Sequence, residues 1–372
     1  MRLLQFTLSF FLVLAVAAEP VPLALNHLQH IGTHNSYKPE LSAPLQEFWQ
    51  SRFPAELAKI DYGHPPLAAQ LAMGIRQLEL DLLLDNSGNK FSQPLAEQLS
   101  KTIILSNAER EALAQPGIKV LHMPDIDFQS HCQLLQQCLA QLRQWSSTNP
   151  SHFPILILIN IKETASPLPG ATAVDVWQPE DYRQLDALLL AELGAERLLR
   201  PDDVRQPGLT LRDSVLQHGW GELAPWRGRF FFVLDGPASQ LAAYRQGYPS
   251  LSGRVMFGDY PADSAEAAIL LRNDPVANFE EIRQLVESGF LVRTRSDDIG
   301  KLQAEPDRFS QAIASGAQFI STDFYPSAPQ QRPQQLAVIF PEQRFSRCHP
   351  FLAVTPCELP VDVTTTKHTY TE

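Results

Sequence analysis

Short apolar runs alternate with longer segments of helical periodicity along most of this chain. The apolar runs are near-continuous, which is typical of parallel strands that are covered on both faces. We predict eight strands from them, at residues 28–33, 75–80, 118–121, 155–161, 229–234, 254–257, 290–294 and 318–321.

The segments between these runs carry apolar residues at helical spacing. They predict helices at residues 44–60, 67–73, 133–146, 179–193, 262–271, 275–288 and 307–315. Eight strands that alternate with helices indicate an α/β fold, a TIM-type (β/α)8 barrel in a single domain. A doubly wound open sheet is the alternative, because it is built from the same alternation.

Two segments depart from the alternation. Residues 86–117 follow the second strand with a polar turn, a polar helical stretch and a Gln-Pro-Gly sequence, so we predict an insertion there. After residue 325 the chain is rich in proline and ends in a polar stretch. We therefore predict a barrel over residues 26–325 and a C-terminal extension, strapped by disulfide bonding, over residues 326–372.

Residues 1–18 have the pattern of a secretory signal peptide. Arg2 precedes an apolar run that ends in small residues at positions 15–18. The run is shorter than the roughly 20 residues that a membrane-spanning helix needs, so a cleaved leader is favoured over an anchor. We expect cleavage near residues 17–19 and a secreted or periplasmic protein.

The cysteine content agrees with export. The chain contains Cys132, Cys138, Cys348 and Cys357. An even count in an exported protein indicates two disulfides, with three connectivities open, of which pairing between sequence neighbours is the simplest. A regular helix would hold the Cα atoms of Cys132 and Cys138 about 9 Å apart, beyond disulfide reach. Pairing of these two therefore requires that the segment between them is not a regular helix.

The charge balance limits the classes of partner. The 372 residues contain 30 Lys plus Arg and 41 Asp plus Glu, a formal net charge of -11, without a basic run. Binding to nucleic acid is therefore not expected. The sequence also lacks the short motifs of serine hydrolases, zinc proteases, nucleotide hydrolases and dehydrogenases, which disfavours those classes.

Polar and ionisable side chains are concentrated where the predicted strands end, the edge at which barrel enzymes place their chemistry. Glu79 and Asp81 are two residues apart in one strand, so both point to the same face and need nearby cations or a metal ion. The oxygen atoms of Asn35, Glu79 and Asp81 favour a hard cation such as calcium or magnesium over zinc.

Two histidines on separate strands, His34 and His122, suit general acid–base catalysis near neutral pH. Arg295, together with Arg293, can hold a phosphate group, or the two arginines can neutralise the carboxylates as structural ion pairs. We interpret Asp127 as a structural turn residue. Together these groups indicate metal-assisted attack on a phosphodiester.

Several segments resemble the signatures of one known family. Residues 29–37 (Gln-His-Ile-Gly-Thr-His-Asn-Ser-Tyr) and 74–81 (Gly-Ile-Arg-Gln-Leu-Glu-Leu-Asp) are similar to the first two signatures of phosphatidylinositol-specific phospholipase C. Further matching segments follow in order, at residues 121–128, 154–162, 291–297 and 314–323. The particular resemblance is to the exported, calcium-dependent branch of that family, and it covers residues 26–325.

The resemblance implies a TIM-type barrel enzyme that cleaves phosphatidylinositol, or a glycosylphosphatidylinositol, to diacylglycerol and a cyclic inositol phosphate. By position, His34 and His122 match the two catalytic histidines. The resemblance also assigns ligands of one calcium ion, with Mg²⁺ the less favoured ion, to Asn35, Glu79 and Asp81.

A further calcium ligand of the family falls near Asn160, where this chain has an amide instead of a carboxylate. Asn160 can donate its carbonyl oxygen, and Glu163 is the alternative ligand. Lys162 matches a basic residue that contacts phosphate, and we expect Arg293 and Arg295 to bind the substrate as well. The expected partner is a phosphoinositide at a membrane surface, contacted peripherally by a monomer.

Two alternatives to this function stay open. A glycerophosphodiester phosphodiesterase shares the barrel, the metal carboxylates and the two histidines, but the long interval between Asp81 and His122 disfavours it. The second alternative is a non-catalytic secreted lipid-binding barrel. The presence of His34, Asn35, Glu79, Asp81 and His122 in one chain disfavours that reading.

Overall fold

The computed structural model describes residues 22–298, 301, 304–326, 328, 337–353 and 356–362. Its strands in chain order are β1 (Leu28–Thr33), β2 (Gln77–Leu83), β3 (Lys119–Val120), β4 (Ile155–Ile161), β5 (Phe230–Asp235), β6 (Phe257–Gly258), β7 (Ile269–Leu271), β8 (Leu291–Arg295), β9 (Phe319–Thr322) and β10 (Ser346–Cys348). Eight of these run parallel in the hydrogen-bonded order β6-β5-β4-β2-β1-β9-β8-β7. The outermost two, β6 and β7, contact each other, so the sheet forms a nearly closed barrel.

Helices flank the barrel strands and cover the sheet. In chain order they are α1 (Ala43–Arg52), α2 (Leu57–Ile60), α3 (Leu67–Met73), α4 (Leu95–Ser100), α5 (Asn107–Ala114), α6 (Leu135–Thr148), α7 (Pro179–Leu193), α8 (Pro201–Val204), α9 (Leu211–His218), α10 (Ala238–Arg245), α11 (Phe279–Ser288) and α12 (Arg308–Ser315). The predicted TIM-type barrel is thereby confirmed, and the alternative of a doubly wound open sheet is wrong.

The near-continuous apolar runs are explained by burial on both faces. Every residue of β1 and β2 is buried, and so is all of β4 except the half-buried Asn160. One face of each strand points into the barrel and the other packs against helices. The predicted helix at residues 44–60 is broken into α1 and α2, because Pro54 disfavours helical geometry at Phe53.

The third predicted barrel strand, at residues 118–121, is wrong as a member of the barrel. Only Lys119 and Val120 form a strand, and β3 pairs antiparallel with Leu82 and Leu83 at the end of β2. The insertion leaves β2 and returns beside it without crossing the barrel, so the returning chain runs in the opposite direction. In the hydrogen-bonded order, β2 pairs directly with β4.

The predicted helix at residues 262–271 is also wrong. Its last three residues form β7, which pairs in parallel with β8, and turns precede it. Residues 267–271 are apolar throughout and fully or almost fully buried. A short apolar run of this kind fits a buried helix and a buried strand equally well, so periodicity could not separate them. The count of eight parallel strands is therefore right although one member was misassigned.

A second apolar core lies apart from the barrel core, at the end where the strands finish. We call it the apical cluster; its buried members are Leu45, Phe48, Trp49, Ile60, Leu83, Phe91, Ala96, Leu105, Leu113, Leu121, Ile126 and Phe128. Leu168 and Val174, from the segment after β4, pack against it. The insertion and this segment therefore form one packed unit beside the mouth of the barrel.

The C-terminal extension covers the opposite end. Its strand β10 pairs antiparallel with the start of β1, so that Leu28 opposes Cys348 and His30 opposes Ser346. Cys348 and Cys357 form a disulfide in this extension, as predicted.

Cys132 and Cys138 form the other disulfide, with their Cα atoms 5.3 Å apart. Helix α6 begins only at Leu135, so the segment between these cysteines is not a regular helix, and both predicted pairings are confirmed. The predicted signal peptide lies outside the described residues. Within them, no helix combines the length and apolarity needed to cross a membrane.

Candidate active site

The carboxyl ends of the barrel strands bring most of the predicted site residues into one region. Asp81, Asn160 and Asp235 are register partners across β2, β4 and β5, so their side chains share one face of the sheet. Glu79 shares that face and contacts Arg293 of β8, which is not a neighbouring strand. This contact spans the barrel, so the shared face is the interior.

The loop after β1 is locked onto β2 by Ser36. The Ser36 backbone N–H donates to the Glu79 carbonyl at 3.0 Å, and the Ser36 hydroxyl accepts the Glu79 N–H at 2.8 Å. Asn35 adopts a left-handed backbone conformation, with φ of 48°, which asparagine tolerates better than most residues. The loop therefore fixes His34 and Asn35 relative to the carboxylates of β2.

His34 lies between two carboxylates. Its Nδ1 is 3.3 Å from Oδ1 of Asp323, and its Nε2 is 3.9 Å from Oε1 of Glu79. The backbone carbonyl of His34 accepts a hydrogen bond from Nε2 of His64 at 2.7 Å. Although burial opposes ionisation, His34, His64 and Arg295 hold the pKa of Asp323 well below its ordinary value. These contacts favour the ionised form of Asp323 beside His34.

His122 has a carboxylate partner of its own. Its Nδ1 is 2.8 Å from Oδ2 of Asp127, and Oδ1 of Asp127 is 2.8 Å from Nζ of Lys38. Although burial opposes ionisation, Lys38 and His122 keep the pKa of Asp127 below its ordinary value. The sequence interpretation of Asp127 as a turn residue missed this contact.

Two cations neutralise the two carboxylates of β2. Nη2 of Arg293 lies 2.9 Å from Oε2 of Glu79, and Nζ of Lys162 lies 2.9 Å from Oδ2 of Asp81. Burial raises the pKa of Asp81 despite Lys162, whereas His34 and Arg293 outweigh burial and lower the pKa of Glu79. Arg293 thus forms an ion pair with Glu79, one of the two arrangements expected for it.

Arg295 contacts the same carboxylate, Asp323, as His34 does. Its Nη2 is 3.2 Å from Asp323 and 3.5 Å from Asp297. His34, Arg295 and Asp323 line a cavity of about 300 Å³ together with Tyr62. The predicted substrate ligand Arg295 and the predicted catalytic His34 therefore share one cavity.

The residues expected to bind calcium fit a hard cation in their donor atoms. Oδ1 of Asn35 and Oδ1 of Asp81 are both buried without a hydrogen-bond partner. Nδ2 of Asn35 donates to the Tyr62 hydroxyl at 2.6 Å, which leaves the amide oxygen free for another partner. Buried oxygens without partners are costly unless a cation or water satisfies them.

Of the two residues expected as the fourth ligand, Asn160 lies beside Asp81, and Glu163 is engaged elsewhere. Oε1 of Glu163 accepts the backbone N–H of Trp177 at 2.8 Å, whereas Asn160 is the register partner of Asp81. The described residues contain no cluster of three or more histidines, cysteines or carboxylates that could hold a metal ion. The four expected ligands do not form such a cluster, because only two of them, Glu79 and Asp81, are carboxylates and the other two are asparagines.

Asp235 and Asp323 were visible in the sequence only as residues at strand ends. In the structure, burial together with Glu79 raises the pKa of Asp235 to about 6, and Asp323 contacts His34. Position at the carboxyl end of a barrel strand was the signal for both, but it did not indicate which side chain each would meet.

The fold and the site together define a barrel enzyme suited to acid–base chemistry at a charged group. The family described as phosphoinositide phospholipase C, Ca²⁺-dependent, matches residues 23–350. The chain therefore belongs to the calcium-dependent phosphoinositide phospholipase C family. No curated protein sequence matches the chain significantly.

Solved structures share the fold. A calcium-dependent phosphoinositol-specific phospholipase C from a Gram-negative bacterium, Pseudomonas sp., is 14% identical with a TM-score of 0.52, over 87% of this chain and 95% of that chain. A Ca²⁺-dependent phosphatidylinositol-specific phospholipase C from Streptomyces antibioticus is 18% identical with a TM-score of 0.50, over 81% of this chain and 94% of that chain.

Proposed function

We propose that the protein cleaves phosphatidylinositol, or a glycosylphosphatidylinositol, to diacylglycerol and a cyclic inositol phosphate. The observation that carries the proposal is a pair of histidines, each with a buried carboxylate at Nδ1, at the same barrel mouth as Glu79 and Asp81. Family membership supports the substrate class.

In the proposed reaction the inositol 2-hydroxyl attacks phosphorus within the same molecule, so proximity supplies much of the rate. His34 Nε2 takes the hydroxyl proton, because anionic Asp323, whose Oδ1 is 3.3 Å from Nδ1, favours a proton on Nδ1. The new oxygen–phosphorus bond forms as the bond to glycerol oxygen breaks. Protonated His122, oriented by Asp127, then gives its Nε2 proton to the departing diacylglycerol oxygen.

In this proposal Lys162 and Arg295 bind the phosphate group of the substrate. Arg293 was expected to bind it as well, but its Nη2 donates to both Glu79 and Ser321 at 2.9 Å. We assign Arg293 to holding Glu79 in place. Lys162 and Arg295 are partly exposed and can each meet a phosphate oxygen.

One calcium ion is part of the proposal, held by Asn35, Glu79, Asp81 and Asn160. When bound, it would supply positive charge to the phosphate oxygens and lower the pKa of the attacking hydroxyl. Mg²⁺ is less suited to these ligands, because it demands near-octahedral geometry and keeps its water.

We further propose a monomer that is secreted or periplasmic, after cleavage near residues 17–19. Both disulfides support an oxidising compartment. Peripheral contact with a membrane follows from the lipid substrate, which has to enter the barrel mouth from a bilayer.

The test is release of diacylglycerol and inositol phosphate from phosphatidylinositol vesicles, with calcium and with a chelator. We expect calcium-dependent release of both, with a cyclic phosphate first. His34→Ala and His122→Ala should each lose most turnover while keeping the wild-type thermal midpoint. Near-normal rates in either variant would refute its assigned role.

Product identity separates the alternatives. Glycerol phosphate released from glycerophosphodiesters, with phosphatidylinositol untouched, would point to a glycerophosphodiester phosphodiesterase. Calcium-dependent vesicle binding without turnover of any phosphodiester would point to a non-catalytic lipid-binding barrel.

A further inference from the structure

The segment that carries His122 lies outside the barrel sheet. It follows β3, which pairs antiparallel with the end of β2. Two backbone hydrogen bonds of 3.0 Å between Met123 and Asp127 close this segment into a tight turn. Closure of the barrel places His34 at the mouth, because β1 is a barrel strand, but it does not by itself place His122. A separate contact has to set the position of the second histidine relative to the first.

Lys38 makes that contact. Its Nζ lies 2.8 Å from Oδ1 of Asp127, and Oδ2 of the same carboxylate lies 2.8 Å from Nδ1 of His122. Lys38 itself lies in the loop after β1, four residues after His34. Its backbone N–H donates to the Asn35 carbonyl at 3.0 Å, so it is part of the turn that presents His34. One side chain therefore connects the two halves of the site.

Both partners of this ion pair are buried. The exposed fraction is 1% for the Lys38 side chain and 0% for that of Asp127. The Lys38 carbonyl accepts the backbone N–H of His64 at 2.8 Å, and the Lys38 ammonium group lies 5.4 Å from the centre of the Tyr62 ring. A buried ion pair often gives a fold no more net stability than well-packed apolar side chains would. Fixed geometry is the property that this pair can supply.

Lys38 also balances charge beside His122. The ionised form of Asp127 is favoured by its contacts with Lys38 and His122. Without Lys38, a protonated His122 ring would be left to balance this carboxylate and would release its proton less readily. Asp81 of β2 also acts on His122, but that carboxylate pairs with Lys162 of β4. Lys38 therefore allows Asp127 to hold the ring by a hydrogen bond while the proton stays available for transfer.

We propose that Lys38 is a positioning residue for the catalytic acid. It fixes Asp127 to the loop of His34 and balances its charge, so that Asp127 orients the His122 ring without retaining its proton. The role of His122 as the acid rests on the proposed function. The ion pair, and the charge that it places beside His122, do not depend on that function.

The first test measures the His122 ring without substrate. In the calcium-free protein with isotope-labelled histidine, NMR follows the protonation of His122 against pH. We expect Lys38→Gln to move the midpoint of this protonation upward by about one pH unit or more, because a cation on the same carboxylate is lost. The matched control is Lys119→Gln, which removes another buried lysine that pairs with Asp85 instead of with a partner of the histidines. It should leave the midpoint nearly unchanged.

The second test measures turnover of phosphatidylinositol vesicles. Lys38→Gln should lower kcat by about tenfold or more with KM nearly unchanged, and it should extend the alkaline limb of the pH profile to higher pH. Lys119→Gln should keep the wild-type kcat and pH profile even where its thermal midpoint falls as far as that of Lys38→Gln.

Thermal unfolding checks whether Lys38→Gln folds, because the substitution leaves a buried carboxylate with one cationic partner fewer. Protonated His122 can replace the missing cation, so the variant should be most stable at low pH and lose stability as pH rises from about 5 to about 8. A variant that is unfolded throughout this range would overturn the proposal, since Lys38 would then serve the fold and not the acid.

The outcomes separate this proposal from the proposed function. An unmoved His122 midpoint in folded Lys38→Gln, or equal shifts in Lys38→Gln and Lys119→Gln, would overturn the proposal whatever the activity. A raised midpoint with a kcat within about twofold of the wild type would overturn it as well. A raised midpoint, in a protein whose wild type turns over no phosphodiester, would uphold the action of Lys38 on His122 and refute the proposed function.

Discussion

At the scale of single residues, His34 and His122 differ in the other groups that contact their carboxylate partners. Asp127 is paired with the buried Lys38, whereas Asp323 is shared among His34, His64 and Arg295. His64 donates from Nε2 to the His34 carbonyl and accepts the Tyr325 hydroxyl at Nδ1, so both of its nitrogens are satisfied. It is a core residue that supports the backbone of His34.

Asp323→Asn should leave the protein folded and lower kcat on the order of 10²- to 10⁴-fold, because the amide no longer holds the productive tautomer of His34. The measurement is kcat on phosphatidylinositol vesicles, with the exposed Glu47→Gln as the control. A kcat for Asp323→Asn within twofold of the wild type would contradict the assignment of Asp323 as a positioning residue.

In the proposed calcium site, Lys162 would compete with the ion for Asp81, since its Nζ already lies 2.9 Å from Oδ2. Lys162→Met should therefore tighten calcium binding, while it lowers turnover through loss of a phosphate contact. Titration calorimetry of the substrate-free protein measures the first effect without reference to activity. The exposed Lys59→Met, which removes a surface lysine, should leave calcium affinity unchanged. Weaker calcium binding by Lys162→Met would contradict the competition.

At the scale of elements, the extension is held to the C-terminal end of α12 by a neutral histidine. Nε2 of His349 donates to the Gly316 carbonyl at 2.6 Å, and its Nδ1 accepts the backbone N–H of Leu352 at 3.2 Å. Burial lowers the pKa of His349 to about 4. Protonation would remove the acceptor at Nδ1, so the docked extension requires the neutral ring.

Docking of the extension should weaken as pH falls from about 6.5 toward 4. In that window the released histidine binds a proton that the docked one does not, which costs about 1.4 kcal/mol per pH unit. Hydrogen exchange of the β10 amides at pH 7 and pH 5, corrected for intrinsic rates, measures the change. His349→Gln should reduce it but not abolish it, because the buried His30, whose Nδ1 lies 2.8 Å from Oγ of Ser346 in β10, also has a lowered pKa. The exposed His218→Gln should leave it unchanged. Equal protection of wild-type β10 at both pH values would contradict the mechanism.

The element errors of the sequence analysis have one physical origin. Residues 118–121 and 269–271 are both short and apolar, and both form strands, but only the second joins the barrel. Which of them pairs in parallel depends on the path of the chain between elements, and local apolarity does not encode that path. The run of β4 was correctly predicted because it is almost wholly apolar and rich in β-branched isoleucine.

At the scale of the whole molecule, the fold was predictable and much of the site followed from it. Once eight strands close into a barrel, the residues after them meet at one end, and His34, Glu79 and Asp81 were predictable for that reason. The carboxylate partners of the two histidines were not predictable in this way. Asp323 reaches His34 only because β9 pairs with β1 across almost the full length of the chain.

The ion pairing of the β2 carboxylates limits which substitutions this site can accept during evolution. Removing one member of a buried pair leaves an uncompensated charge that costs about 3–5 kcal/mol, whereas replacing both members together can be nearly neutral. Glu79 and Arg293, which are both buried, should therefore be inherited as a unit. Relatives that have lost the activity should lack both the carboxylate and its cationic partner. A relative that keeps only one of the two would be at an intermediate stage of that loss.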